Sequence, residues 1–149
     1  MWSRNSGLAL AFAAIALAPG ARAADPAPPT EPKQVTPKME EICARAWKRY
    51  AKLFPDAKEK PGEVVVLMHK YTFCPTNVTV KPGTTVRWVN VDKRTSHSVW
   101  LEQAGEKESP RMFGEEDWSF TFKATGKYPY LCGPHWNQEG MYGHVTVSE

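Results

Sequence analysis

Tyr128-Pro-Tyr-Leu-Cys132-Gly-Pro-His135-Trp-Asn-Gln-Glu-Gly-Met141 reads as a strand running into a loop, and it places a thiolate, an imidazole and a thioether within ten positions. Gly133-Pro134 makes the loop tight enough for Cys132 and His135 to turn toward one point. A soft thiolate, an imidazole and a distant thioether suit copper better than any other common metal. A second imidazole is then expected from a separate strand. His97, in Arg94-Thr-Ser-His-Ser-Val-Trp100, also follows a strand and is the candidate.

Outward from this stretch the chain reads as strand after strand. Upstream, Glu63-Val-Val-Val-Leu-Met-His69 is apolar and β-branched, and Asn77-Val-Thr-Val80 alternates. Lys81-Pro-Gly-Thr84 is a turn, Thr85-Val-Arg-Trp-Val-Asn90 another strand, Asp92-Lys-Arg a second turn, and Ser98-Val-Trp100 a short strand. Residues 102–117 are polar and read as a long surface loop. Trp118, Phe120 and Phe122 then alternate with Ser119, Thr121 and Lys123, the pattern of a half-buried strand. Lys127 to Cys132 and Tyr142-Gly-His-Val-Thr-Val147 complete the set. About seven or eight short strands with frequent turns predict an all-β, antiparallel β-sandwich.

Before the strands comes one helix, predicted over residues 37–55. Thr36 is its N-cap, Pro37 its first residue and Pro55 its stop. Met39, Ile42, Cys43, Ala46, Trp47, Tyr50, Leu53 and Phe54 fall at helical spacing and form one apolar stripe, so Met39 and Trp47 are expected in the core. Residues 24–36 carry four prolines among small and polar residues, a flexible or extended linker with nothing to bury. Residues 1–23 read as a signal peptide: Arg4, an apolar stretch from Gly7 to Ala18, then Ala21-Arg22-Ala23. That stretch is too short to span a membrane. Cleavage after Ala23 leaves 149 less 23 residues, 126, a single domain of ordinary size. It removes two of 19 basic residues and none of 16 acidic ones, so the mature charge is +1. With no basic run either, nothing points to nucleic acid or an anionic membrane as partner.

Three cysteines in an oxidising compartment are an odd number. Cys132 sits among potential ligands while Cys43 and Cys74 do not, which argues for a Cys43–Cys74 disulfide with Cys132 kept for metal. Separate buried thiols at 43 and 74 are the alternative.

The pattern Phe73-x-Pro75, Val78-x-Val80, Gly83-Thr-Thr-Val86-x-Trp88-x-Asn90, His97, Gly126-x-Tyr128-x-Tyr130-x-Cys132-x-Pro134-His135 and Met141-x-Gly143-x-Val145-x-Val147 resembles the cupredoxins. Within them it is most similar to the plastocyanin and pseudoazurin type. The resemblance covers about residues 63–149, the expected domain. It implies a Greek-key sandwich, here with the N-terminal α-helix appended. It also implies a type 1 copper site, with His97, Cys132 and His135 as equatorial ligands and Met141 as a weak axial one. The donors agree with it: a trigonal His₂Cys set with a long thioether bond accommodates both copper oxidation states, which suits rapid one-electron transfer. Zinc fits less well, because thioether is a poor zinc ligand.

Two departures stand out. Five residues separate His135 from Met141 where plastocyanin-type loops have four, which leaves Gln138 or Glu139 as competing oxygen ligands. Ser98 follows His97 where plastocyanins carry Asn, so the thiolate hydrogen bond is expected to be made differently. Pro134 and Trp136 are expected at an apolar rim around His135 where a redox partner docks transiently; packing within the loop is the plainer role for Trp136. His69 and His144 read as satisfied or solvent-facing strand residues. A second copper site from Met68, His69 or Met112 is the alternative, although no ligand spacing joins them. With four histidines and no H-x-H, the chain lacks the His clusters of copper enzymes, and a non-enzymatic role is expected. The expected function is that of a monomeric, periplasmic, one-electron copper carrier. The helix with Cys43 and the stretch around His97 resemble cupredoxins of bacterial copper tolerance, which makes binding or oxidising periplasmic copper the alternative.

Overall fold

The computed structural model describes residues 27–149, so the expected signal peptide over residues 1–23 lies outside the described residues. Seven strands follow one helix: α1 (Pro37–Leu53), β1 (Glu63–His69), β2 (Thr72–Cys74), β3 (Asn77–Val80), β4 (Thr84–Asn90), β5 (Asp117–Phe122), β6 (Gly126–Leu131) and β7 (Tyr142–Val147). A 3₁₀ turn (Glu102–Ala104) and a four-residue helix α2 (Trp136–Glu139) sit in the loops. The strands form two sheets, ordered β2-β1-β4-β5 and β3-β7-β6.

The sandwich with its appended helix is as expected, but the strands are not antiparallel throughout. β1 runs parallel to β4, and β3 parallel to β7. The chain crosses to the second sheet at β3 before β4 returns beside β1, and that detour permits the parallel pairing. Ser98-Val-Trp100 is no strand; isolated bridges tie its ends, His97 to Met112 and Trp100 to Leu131.

Period-two alternation decides which side chains enter the sandwich. Val66 and Met68 of β1, Val86 and Trp88 of β4, Phe122 of β5, Tyr130 of β6, and Val145 and Val147 of β7 form one buried cluster. At its centre Trp88 lies edge-on to Tyr130, ring centroids 5.2 Å apart. The opposite face of the first sheet is buried too, because Leu67, Cys74, Val89 and Val91 pack beneath Ile42 and Ala46 of α1. This explains why Glu63–His69 is a continuous apolar run: both of its faces are covered.

α1 begins as the sequence indicates, with Thr36 Oγ1 accepting the Met39 N–H at 3.3 Å. Trp47 departs from expectation: it is 40% exposed, edge-on to Tyr50 at 5.7 Å. It lies at the margin of the stripe, beyond the side chains that reach the sheet. The proline-rich segment forms neither helix nor strand over residues 27–36, yet it is held. Lys33 N–H donates to Asn77 Oδ1 at 3.0 Å, and Asn77 Nδ2 donates to Lys33 O at 2.8 Å. The Lys33 ammonium donates to the Gly140 carbonyl and lies over the Tyr142 ring. No helix among the described residues is long and apolar enough to cross a membrane.

Candidate metal centre

The loop after β6 is built by backbone hydrogen bonds. Both His135 N–H and Trp136 N–H donate to Cys132 O at 2.9 Å, closing the tight turn that Gly133-Pro134 permits. The five residues beyond His135 then coil: α2 makes one turn, and Gly140 ends it in the left-handed conformation at φ +64°. Met141 N–H returns to His135 O at 3.2 Å, and Cys132 N–H donates to Met141 O at 3.0 Å. The extra loop residue is thus absorbed in a helical turn that sets the Met141 backbone beside Cys132. The Met141 side chain is fully buried in the same apolar cluster as Cys132.

His97 arrives from the β4–β5 connection, pinned by reciprocal backbone hydrogen bonds with Met112 at 3.0 and 2.8 Å. One donor atom each from His97, Cys132 and His135 lies within 4.8 Å of the others. Both imidazoles present Nδ1 to the sulfur, His135 at 3.3 Å and His97 at 3.9 Å. Two imidazoles and a thiol, converging on one buried point beside a thioether-bearing residue, fit a copper ion. His97 and Cys132 are wholly buried and His135 is partly exposed.

Asp92 supports this arrangement. Its Oδ2 lies 2.9 Å from His97 Nε2 and its Oδ1 lies 2.6 Å from His69 Nδ1. Burial opposes the Asp92 charge, but hydrogen bonds from His69, His97 and the Lys70 N–H outweigh it and hold the carboxyl well below the usual carboxylate range. A carboxylate there draws the proton of His97 to Nε2 and leaves Nδ1 free to ligate. Burial pushes the Cys132 thiol up, opposed by the hydrogen bond from the Ser98 N–H and by the charge of Arg111. Burial pulls His135 down, helped by His97 and Arg111 and opposed by Glu139 and Asp92. The copper-free site therefore favours a neutral thiol and a neutral imidazole, and metal binding must release the thiol proton.

The other residues that the sequence singles out lie around it and elsewhere in the fold. Cys43 and Cys74 are joined by a disulfide with their Cα atoms 5.2 Å apart, and Cys132 is the free cysteine. Ser98 is buried, its N–H 3.4 Å from Cys132 Sγ. Pro134 is exposed and Trp136 half-buried as the first residue of α2. Gln138 and Glu139 are exposed on α2, and Glu139 is not part of the converging group. Met68 and Met112 are core residues, and His69 is bonded to Asp92. His144 is buried, with Thr146 Oγ1 3.3 Å from Nδ1 but no partner at Nε2 among the described residues.

Sequence reasoning missed Asp92, which reads as a turn residue, and Tyr71. Lys70 and Tyr71 form the two-residue hairpin between β1 and β2, at φ +46° and +58°. Such turns favour Asn-Gly. Here two bulky residues hold that conformation, and Tyr71 lies edge-on to His135 with centroids 4.9 Å apart. The residue types of a good turn are absent, so no local signal marks it.

Residues 62–148 match the family described as copper binding proteins, plastocyanin/azurin family. Amicyanin of Paracoccus denitrificans is 34% identical over 99 residues, covering 63% of this chain and 72% of that protein. Plastocyanin of Nostoc punctiforme is 29% identical over 96 residues, covering 50% of this chain and 63% of that protein. A solved structure of an amicyanin variant in the Cu(I) form superposes with a TM-score of 0.53 at 32% identity, covering 60% of this chain and 85% of that one.

Proposed function

Because this chain belongs to the plastocyanin/azurin family of copper-binding proteins, the cupredoxins, we propose that it is an exported one-electron carrier of the periplasm. In this reading His97, Cys132 and His135 are the equatorial ligands and Met141 the axial one. The carrying observation is the convergence of the three donor atoms within 4.8 Å, with His135 alone of the three reaching the surface. Copper supplies a Cu(I)/Cu(II) couple when bound. The chain holds its donors in place beforehand: Asp92 fixes His97, the Cys132–Met141 backbone bond fixes the loop end, and buried neighbours exclude water. Little then has to move when an electron arrives. The partly exposed edge of His135, framed by Tyr71, Pro134 and Trp136, is the place for a redox partner to dock briefly, with a small contact. The protein works as a monomer and is not itself an enzyme.

A second reading, copper tolerance, is favoured by α1 and its disulfide to β2. Cys43 and the whole of α1 lie outside the residues that match the family, and an electron carrier has no evident need of them. Growth of a deletion strain in raised copper, set against its respiration at low copper, separates the two.

The site itself is tested by titrating the mature protein with Cu(II) and recording the visible spectrum. An intense band saturating at one equivalent and vanishing on reduction is expected, and Cys132→Ala should abolish it. Intense colour retained in that variant would refute the ligand assignment.

A further inference from the structure

Beside the thiol lies a hydroxyl that the geometry turns away from it. Ser98 Oγ is 3.8 Å from Cys132 Sγ but 2.5 Å from Glu108 Oε1, and the Gly133 N–H donates to it at 3.1 Å. A serine hydroxyl owns one proton. A carboxylate at the shorter distance is much the better acceptor, and the charge-assisted bond takes that proton. With that proton engaged by Glu108 and Gly133 donating to the oxygen, the hydroxyl has no proton left for Cys132, so the ligating sulfur receives the Ser98 N–H and nothing from the Ser98 hydroxyl.

Glu108 is held for this role although it lies on an exposed loop. The next residue, Ser109, is clamped to Val99: its N–H donates to Val99 O at 2.8 Å, and its Oγ accepts the Val99 N–H at 2.9 Å. The Glu108 carboxylate packs directly over Gly133, where an added Cβ would overlap it.

We propose that Glu108 is a positioning residue that withholds the Ser98 hydroxyl from Cys132 and so lowers the reduction potential of the site. The proposal rests on Cys132 being a copper ligand. Hydrogen bonds to a ligating sulfur withdraw its electron density and favour Cu(I), so one bond fewer favours Cu(II). The negative charge of Glu108 acts in the same direction through space, and the test must separate the two effects.

The experiment is redox titration of the copper-loaded protein in five forms: wild type, Glu108→Ala, Glu108→Gln, Ser98→Ala and the Glu108→Ala/Ser98→Ala double variant. Glu108→Ala frees the hydroxyl to turn to the sulfur. It is expected to raise the preference for Cu(I) about tenfold, a shift of about +59 mV for a one-electron couple. Ser98→Ala alone should shift it little, because the hydroxyl does not serve the sulfur. In the Ser98→Ala background the Glu108 effect should shrink to its through-space part. Glu108→Gln, which keeps an acceptor oxygen but loses the charge, should reproduce only that part. Equal Glu108→Ala shifts in both backgrounds would overturn the proposal, as would no shift or a fall. A wild type without the intense band would overturn the ligand reading itself and this proposal with it, whereas an intense band without the expected coupling overturns the proposal alone.

Discussion

At the scale of single residues, the site depends on side chains that never touch the metal position. Asp92 is the clearest, because one carboxylate accepts from His97 and His69 and from the Lys70 N–H. Asp92→Asn removes the charge that draws the His97 proton to Nε2. We expect copper affinity to fall about 10–100-fold, the usual effect of losing an outer partner of a ligating histidine. Competition against a chelator of known affinity measures this. Unchanged affinity would mean that His97 keeps its tautomer without Asp92. His69 belongs to the same network: it is a buried strand histidine satisfied by that carboxylate, which it also anchors.

Among the elements, α1 and the proline-rich segment brace the sandwich from outside. The Cys43–Cys74 disulfide ties α1 to β2 and closes a loop with a sequence separation of 31. Replacing both cysteines by alanine is expected to lower stability by about 2–4 kcal/mol, chiefly by freeing the unfolded chain. The visible spectrum should stay intact, because this disulfide lies in the cluster beneath α1 and Cys132 in the sandwich core. Denaturant unfolding of copper-loaded protein with spectral detection checks both parts; a lost band at full fold would mean that α1 shapes the site. Lys33 links the outer segment to the ligand loop at Gly140, a tie invisible in sequence because the two residues are 107 positions apart.

For the molecule as a whole, His144 makes stability depend on pH. Burial and the charge of Lys127 hold its pKa below the ordinary histidine value, and Glu31 opposes them. The folded chain thus takes this proton less readily than the unfolded chain. The contribution of His144 is present above about pH 6.5 and is lost as pH falls through the lowered value. In copper-free protein, His144→Leu should therefore lose less stability than wild type between about pH 7 and pH 5. Urea unfolding at several pH values measures the difference; parallel curves would show that His144 does not carry it.

Much of this architecture is legible in the sequence, and the reason is locality. Turn residues at Gly133-Pro134, period-two alternation in β5 and β7, and caps at Thr36 and Pro37 act over a few positions, so strands, helix and ligand loop can be read directly. Donor identity is local as well: a thiolate, imidazoles and a thioether favour copper wherever they meet. Helical periodicity points a stripe toward a sheet but does not say how far that sheet extends, which is why Trp47 is half in solvent. Parallel pairing, the Tyr71 edge over His135, and the contacts of Asp92 with His97 and Glu108 with Ser98 were decided only by the tertiary structure. They join residues whose approach depends on sheet register and on packing summed over the whole chain. The sequence by itself determined which donor atoms the chain can offer a metal, and the fold decided which of them converge and which hydrogen bonds surround them.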